Sequence, residues 1–396
     1  MSEREFPPAI ALAKIKKIIQ SLNLRSKTHY TDEHKLVATA ELVDENNKHI
    51  QSGAGKGPDS LTGALAESIE HFSTFQRNKG QALNQNCELI ATQKGAEHDG
   101  LLTGLPYRAG PIEAFKLTTL DNAETLYIPS IILCPTIEKD SWDGEDPNMQ
   151  FLSRYSSNSG IAFGCTKAEA ILHGANEVIE RHILSCFFMA VCTIGPSLKL
   201  YSPSKALLTK ALESTPHALS LAEQLQIIII KDVMNIYFSV AIPKYGPGDF
   251  HISPIGSGCS LDICTAVQRA VTEQHQVHTL YDDTQEIVDR RSLDFLSRSK
   301  ILRHLIDFEP ATHLRLPTLD LPSINFNTSV PLQLRTLENN LIASGKTIYH
   351  RIISRYSDDG IVCQAYVPGL ERFNLIRNGS WVAPQAILRQ APAGTL

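Results

Sequence analysis

A chain of 396 residues, 42% hydrophobic and 20% charged, has the apolar content for a large core and is not a disordered polymer. Its formal net charge of −5 argues against nucleic-acid binding by bulk charge. The polar start (Met1-Ser2-Glu3-Arg4-Glu5) lacks a signal peptide, and no apolar run approaches the roughly 18 residues of a membrane span. These features point to a cytoplasmic, non-membrane protein.

In chain order, residues 9–23 have the apolar spacing of an amphipathic helix. Residues 37–43 alternate as a strand does and lead into a predicted turn, Gly55-Lys56-Gly57. Such a turn before a helix can cradle an anion with backbone N–H groups. The helix that follows carries Leu65, Ile69 and Phe72 on one side and Glu67 and Glu70 on the other. Residues 87–104 read as a polar loop, 126–133 as a strand broken by Pro129, and 140–148 as an acidic loop.

Residues 175–188 contain neither Gly nor Pro and favour a helix. Glu177 and Glu180 share a face of it, and Glu169 lies two turns earlier on the same side. Residues 206–225 are expected to be helical, 227–230 and 236–242 to form a strand pair, and 261–281 to form a helix bearing Glu273 and Gln276. Gly256-Ser257-Gly258 could let the backbone approach a ligand. A helical, then Pro-rich stretch at 283–330 reads as an insertion, before a helix at 332–343 and strands at 347–353 and 361–367. Interleaved strands and helices predict an α/β (α+β) layered fold with mixed sheets. The eight cysteines contain no Cys-x-x-Cys pair, so zinc-ribbon and thioredoxin-like chemistry lack support.

Carboxylates at helical spacing repel unless a cation sits among them. Glu67-x-x-Glu70 and Glu177-x-x-Glu180 occur on two separate helices, each followed by a basic residue, His71 or Arg181. Two pairs aimed at one space would suit a hard divalent ion such as Mg²⁺ and its phosphate partners.

These residues resemble the YcaO-domain family. Its Gly-Lys-Gly turn and Ser-x-x-x-Glu-x-x-Glu-Arg helix are matched by Gly55-Lys56-Gly57 and Gly63-x-x-x-Glu67-x-x-Glu70-His71. Its second signature is matched by Gly164, Thr166, Glu169, Glu177, Glu180 and Arg181. Its third is matched by Arg269, Thr272, Glu273, Gln276 and His278. Val367-Pro368-Gly369-Leu370-Glu371 recurs in one branch. The departures are Gly63 for Ser, His71 and His278 for Arg, and an ending without the Pro-x-Pro-x-Pro tail common among azoline-forming members.

The resemblance implies a YcaO-like catalytic domain over 35–396 after an N-terminal helical segment, 1–34. It implies ATP and Mg²⁺ as cofactors. Glu67, Glu70, Glu177 and Glu180 would hold metal, and Lys56, Glu169, Arg181, Glu273 and Gln276 would contact nucleotide. Glu177, Glu180 and Arg181 would be catalytic. The implied reaction activates a peptide-backbone amide by phosphorylating its oxygen after a nucleophile has added, giving an azoline, a thioamide or an amidine. A precursor peptide, a separate leader-peptide-binding or partner protein, and a homodimer follow from the same likeness. A nucleotide-binding accessory or scaffold protein is the alternative.

Overall fold

Two small antiparallel sheets flank a larger one in the computed structural model, which describes residues 3–77, 81–105, 110–134, 147–322 and 328–390. Helix α1 (Pro8–Ser21) starts with Pro at a first-turn position, where its missing N–H costs nothing. It buries Ala11, Ile15, Ile18 and Ile19, while Ile10, expected to face inward, is exposed. Strands β1 (Arg25–Tyr30), β2 (Val37–Val43) and β3 (His49–Lys56) form the first small sheet, followed by α2 (Ser60–Phe72). Residues 1–34 therefore hold a strand as well as a helix.

The larger sheet collects β4 (Leu83–Asn86), β5 (Pro111–Thr119), β6 (Thr125–Pro129) and β7 (Ile161–Gly164). The 25-residue helix α3 (Lys167–Val191) follows β7 directly. The second small sheet is β8 (Leu225–Ile230), β9 (Tyr237–Pro243) and β10 (Gly256–Ser260), followed by α4 (Ile263–Thr279) and α5 (Asp283–Ser297). Helix α6 (Val330–Ala343) leads to β11 (Tyr349–Tyr356) and β12 (Gly360–Tyr366), which complete the large sheet in the order β4-β5-β11-β12-β7, with β6 beside β5. One two-residue pairing, Thr318–Leu319 with Ser202–Pro203, is parallel. Every other described strand pair is antiparallel, so the fold is α+β.

Four local expectations need correction. Residues 87–104 contain two short helices, Cys87–Thr92 and Gly100–Thr103. Asn86 and Asp99 cap them by accepting the N–H groups of Glu88 (2.8 Å) and Leu101 (2.9 Å), and both caps are legible as helix starts. The 126–133 strand stops at Pro129, and Ser130–Leu133 is a buried helical turn. The 206–225 helix is two helices, Lys205–Ala211 and Pro216–Ala222, because Pro216 can only start a new one. Finally, Gly53 to Lys56 belong to strand β3, and Gly57, at φ +79°, makes the turn. The 140–146 part of the acidic loop lies outside the described residues.

One core packs the large sheet against α3 and α6. A second joins α1 and α2 through Ile15, Ile18, Leu65 and Ile69, and a third joins α4 to the second small sheet. All eight cysteines are thiols and all but Cys264 are buried, as small apolar side chains are.

Candidate active site

Glycines bring a strand and a helix into backbone contact in two small lobes, β1–β3 with α2 and β8–β10 with α4. A Cβ on Gly53 would lie 2.5 Å from both Ala64 O and Ser68 N, and one on Gly256 would lie 2.2 Å from both Ala270 O and Gln274 N. Ala64 of α2 therefore corresponds to Ala270 of α4. Counting onward, Glu67 corresponds to Glu273 and Glu70 to Gln276. Helix α3 uses the same device, since a Cβ on Gly164 would lie 2.4 Å from Ala170 N. The equivalent positions there are His173 and Asn176, with Glu177 and Glu180 just beyond.

These faces meet in a cleft of two connected cavities, about 940 and about 440 Å³, that share Lys56, Glu67, Glu70, His173, Arg269 and Gln276 as walls. Glu177, Glu180, Arg181 and Glu273 line the smaller. Eight of the nine expected residues are thus together. The exception is Glu169, which is 1% exposed and sits behind the wall. The Thr166 hydroxyl caps its N–H, and its carboxylate accepts Cys165 N–H at 3.2 Å and pairs with Arg4 at 3.4 Å. It anchors the start of α3 rather than facing the cleft.

The glutamates on the wall are each held by a named donor. Glu67 Oε2 accepts Ala54 N–H and Glu70 Oε1 accepts Phe163 N–H, both at 2.6 Å. Glu180 Oε1 accepts the Ser257 hydroxyl at 2.6 Å. Glu177 Oε1 accepts Arg181 Nε at 2.9 Å and Nη2 at 2.8 Å, so the ion pair between these two is present. Lys56 pairs with Glu273 across the cleft.

Burial, reinforced by Glu67 and Glu177, pushes Glu70 up to about 8, although the Phe163 N–H works against it. Burial and then Glu273 push Glu180 up to about 7 against Lys56 and Ser257. Burial acts to lower the Arg181 pKa, but Glu177, Glu180 and Glu273 together outweigh it and hold the guanidinium charged.

The N-terminal segment also reaches the site, which sequence reading missed. Glu3, 5% exposed, pairs with Arg269 at 2.7 Å and accepts the Ser260 hydroxyl at 2.5 Å, while its backbone carbonyl lies 3.0 Å from His173 Nε2. No motif marks residues 3–5, because their placement depends on Arg269, more than 260 positions away. Arg269 itself was findable: it precedes Glu273 by one helical turn.

The departures from the family pattern have local reasons or partners. A Cβ on Gly63 would stand 3.3 Å from Gly55 Cα, so the strand crosses there closely. His71 Nδ1 lies 2.6 Å from Ser52 O, and the His278 ring meets Phe250 edge-on at 5.0 Å.

Carboxylates outnumber cations on these walls, and hard cations favour such oxygen donors. Asn176, 2% exposed and on the wall, has both side-chain polar atoms without a partner. Among the described residues no group of three or more His, Cys, Asp or Glu is already set around a metal position. The donor set fits Mg²⁺ in chemistry, and binding would require the carboxylates to draw closer.

Comparison with known proteins bears on the fold and the family. An uncharacterized protein of Methanothermobacter thermautotrophicus is 27% identical over 339 residues, 81% of this chain and 82% of that one. The fold matches that of YcaO from Methanopyrus kandleri, solved with AMPPCP and Mg²⁺, at TM-score 0.61 and 15% identity over 96% of this chain and 95% of that one. A heterocyclase in complex with substrate and cofactor gives 0.62 at 18% identity, covering 93% of this chain and 53% of that one. The E. coli microcin synthetase McbBCD complex gives 0.54 at 14% identity, covering 87% and 86%. Residues 53–371, which carry all three glycine-packed helices, match the profile of the YcaO cyclodehydratases, described as ATP- and Mg²⁺-binding, and the chain belongs to that family.

Proposed function

We propose that the cleft binds ATP with Mg²⁺ and uses it to activate a backbone amide of a ribosomally made peptide. The observation that supports this best is the convergence of Glu67, Glu70, Glu177 and Glu180 beside Lys56, Arg181 and Arg269. Two of these carboxyls are raised by burial and by neighbouring carboxylates, an arrangement a bound cation would relieve. The M. kandleri relative was solved with AMPPCP and Mg²⁺.

In this reading Glu67, Glu70, Glu177 and Glu180 hold the metal, and Lys56, Arg181 and Arg269 hold phosphate oxygens. Glu273 and Gln276 position the nucleotide from α4, and Glu169 acts indirectly by fixing the start of α3. When bound, ATP would supply the phosphoryl group that makes an amide oxygen able to leave, and Mg²⁺ would offset the phosphate charge. The chain's own part is to orient the amide and exclude water from it. Azoline and thioamide products are both compatible with these residues. Delivery by a separate partner protein and a homodimer belong to the same proposal, and light scattering at twice 43.7 kDa is the expected result for the dimer.

A second reading, an accessory protein that binds nucleotide without turning it over, is favoured by one observation. Lys56 and Arg269, which a polyphosphate would need, are already paired with Glu273 and Glu3. Calorimetry with ATP, with and without Mg²⁺, tests the shared part of both readings: affinity should require the metal, because bare ATP meets glutamates. Equal affinity in excess chelator would remove the metal-bridged site. Phosphate release with a precursor peptide and partner separates enzyme from accessory.

A further inference from the structure

Beyond Gln276, the wall of Val277, Tyr281 and Gln285 also bounds a separate cavity of about 190 Å³. The walls of this annex are polar and apolar in about equal measure, with Phe250, Ile252, Ile255 and Val288 on the apolar side and Ser253, Asp289 and Arg377 on the polar side. Phe250 meets Tyr281 edge-on at 4.6 Å. Arg377 also lines it. Its guanidinium stacks near the rings of Phe308 (5.0 Å) and Phe188 (5.9 Å), and Nη2 donates to Ser253 O at 2.7 Å.

Three polar atoms here are buried without a partner, Arg377 Nε, Ser253 Oγ and Tyr281 Oη, and Ser253 is 1% exposed. Among the described residues no carboxylate lies within 4.0 Å of Arg377. Asp289, whose charge acts on it, is bonded instead by Gln285 Nε2 at 2.7 Å. Burial lowers the Arg377 pKa to about 10.

A guanidinium beside aromatic rings, bonded to Ser253 O through Nη2 but with Nε unused, has a donor left for a further acceptor, and an anionic one would add to the charge balance that Asp289 begins. The space exceeds the roughly 30 Å³ share of a single water. Its apolar sides suit a carboxylate with a short hydrocarbon stem, and its shared wall with the cleft gives the direction of entry.

We propose that the annex is a subsite for a carboxylate, namely an acidic side chain or the free C-terminus of a peptide held in the cleft. This rests on the reading of the cleft as a peptide-modifying site. Arg377 binds the carboxylate, the Ser253 hydroxyl donates to it, and Phe250 and Tyr281 cover its stem.

Calorimetry with three probes tests the assignment: N-acetylphenylalanine, N-acetylglutamic acid α-amide and the uncharged N-acetylphenylalanine amide. At least one acid should bind saturably at millimolar concentration, and which of them binds identifies the source, terminus or side chain. The amide should bind at least about tenfold more weakly, as expected for the loss of one charge-assisted contact. Arg377→Met should weaken the acid by a similar factor. Val288 is 39% exposed on the outer rim of the annex, so Val288→Trp should fill it without touching Arg377 and abolish binding. That second variant decides the matter if Arg377→Met fails to fold.

An amide that binds as well as the acids, acid binding unchanged in Val288→Trp, or no acid binding at all would each overturn the subsite. Mg²⁺·ATP titrated into the same samples separates the two readings. Nucleotide binding without acid binding removes only the annex. Acid binding without nucleotide binding keeps the annex and removes the nucleotide cleft.

Discussion

Glu180 receives the Ser257 hydroxyl on one carboxylate oxygen and leaves the other for the cleft. Glu180→Gln keeps that hydrogen bond and the volume, and removes the charge. Peptide-dependent ATP consumption should fall on the order of a hundredfold or more, while thermal unfolding at neutral pH stays close to wild type. Near-wild-type phosphate release with cognate peptide and partner would end the metal-ligand assignment. Glu70 gives a test that needs no substrate. Its folded-state pKa is raised, so the folded protein holds this proton more tightly than the unfolded chain does. The associated stability is complete below the ordinary carboxylate range and drains away as pH rises through about 8. In chelator, Glu70→Gln should match wild type at pH 5 and exceed its Tm by about 2–4 °C at pH 9. Matching curves at both pH values would mean that ionised Glu70 costs nothing in the fold.

At the scale of elements, the site depends on how closely β3 crosses α2. A Cβ on Gly55 would fall 1.8 Å from Ser60 O and 2.4 Å from Ala64 N, both backbone atoms that cannot rotate away. Gly55→Ala should therefore force the helix off the strand, costing about 3 kcal/mol or more in denaturant unfolding, at the upper end of overpacking penalties. It should also weaken nucleotide binding, because Glu67 and Glu70 ride on α2. Gly110 is a control, since nothing lies within 4 Å of its Cβ position, and Gly110→Ala should stay within about 0.5 kcal/mol of wild type. A Gly55→Ala protein as stable as the Gly110 control would disprove the backbone-contact account.

Across the whole molecule, the cleft draws walls from both small lobes and from α3 between them, and no described helix is long and apolar enough to cross a membrane. A ligand held by all three walls opposes their separation. Mg²⁺·ATP at a hundred times its Kd should add about 2.7 kcal/mol of stability, seen as a raised Tm, and ATP in chelator should add far less. An unchanged Tm under saturating Mg²⁺·ATP would mean that the folded protein does not bind it in preference to the unfolded chain, which removes the nucleotide cleft.

Within the sequence, spacing alone determined that Glu67 pairs with Glu70, Glu177 with Glu180 and Glu273 with Gln276, because helical periodicity is local. Length, charge and cysteine spacing argued against whole classes of function for the same kind of reason. The lengths of α3 and α4 were partly legible from apolar rhythm, whereas the short helices at 87–104 were signalled by their Asn86 and Asp99 caps alone, in a stretch whose polar composition reads as loop. Tertiary structure alone decided the rest. It placed Glu3 against Arg269 and Glu273 against Lys56, withdrew Glu169 behind Arg4, and opened an annex at Arg377. Ion pairs and cavities of this kind join residues far apart in the chain, and which of them meet is set by how the glycine-bearing strands of the lobes pack on their helices, information that no local pattern contains.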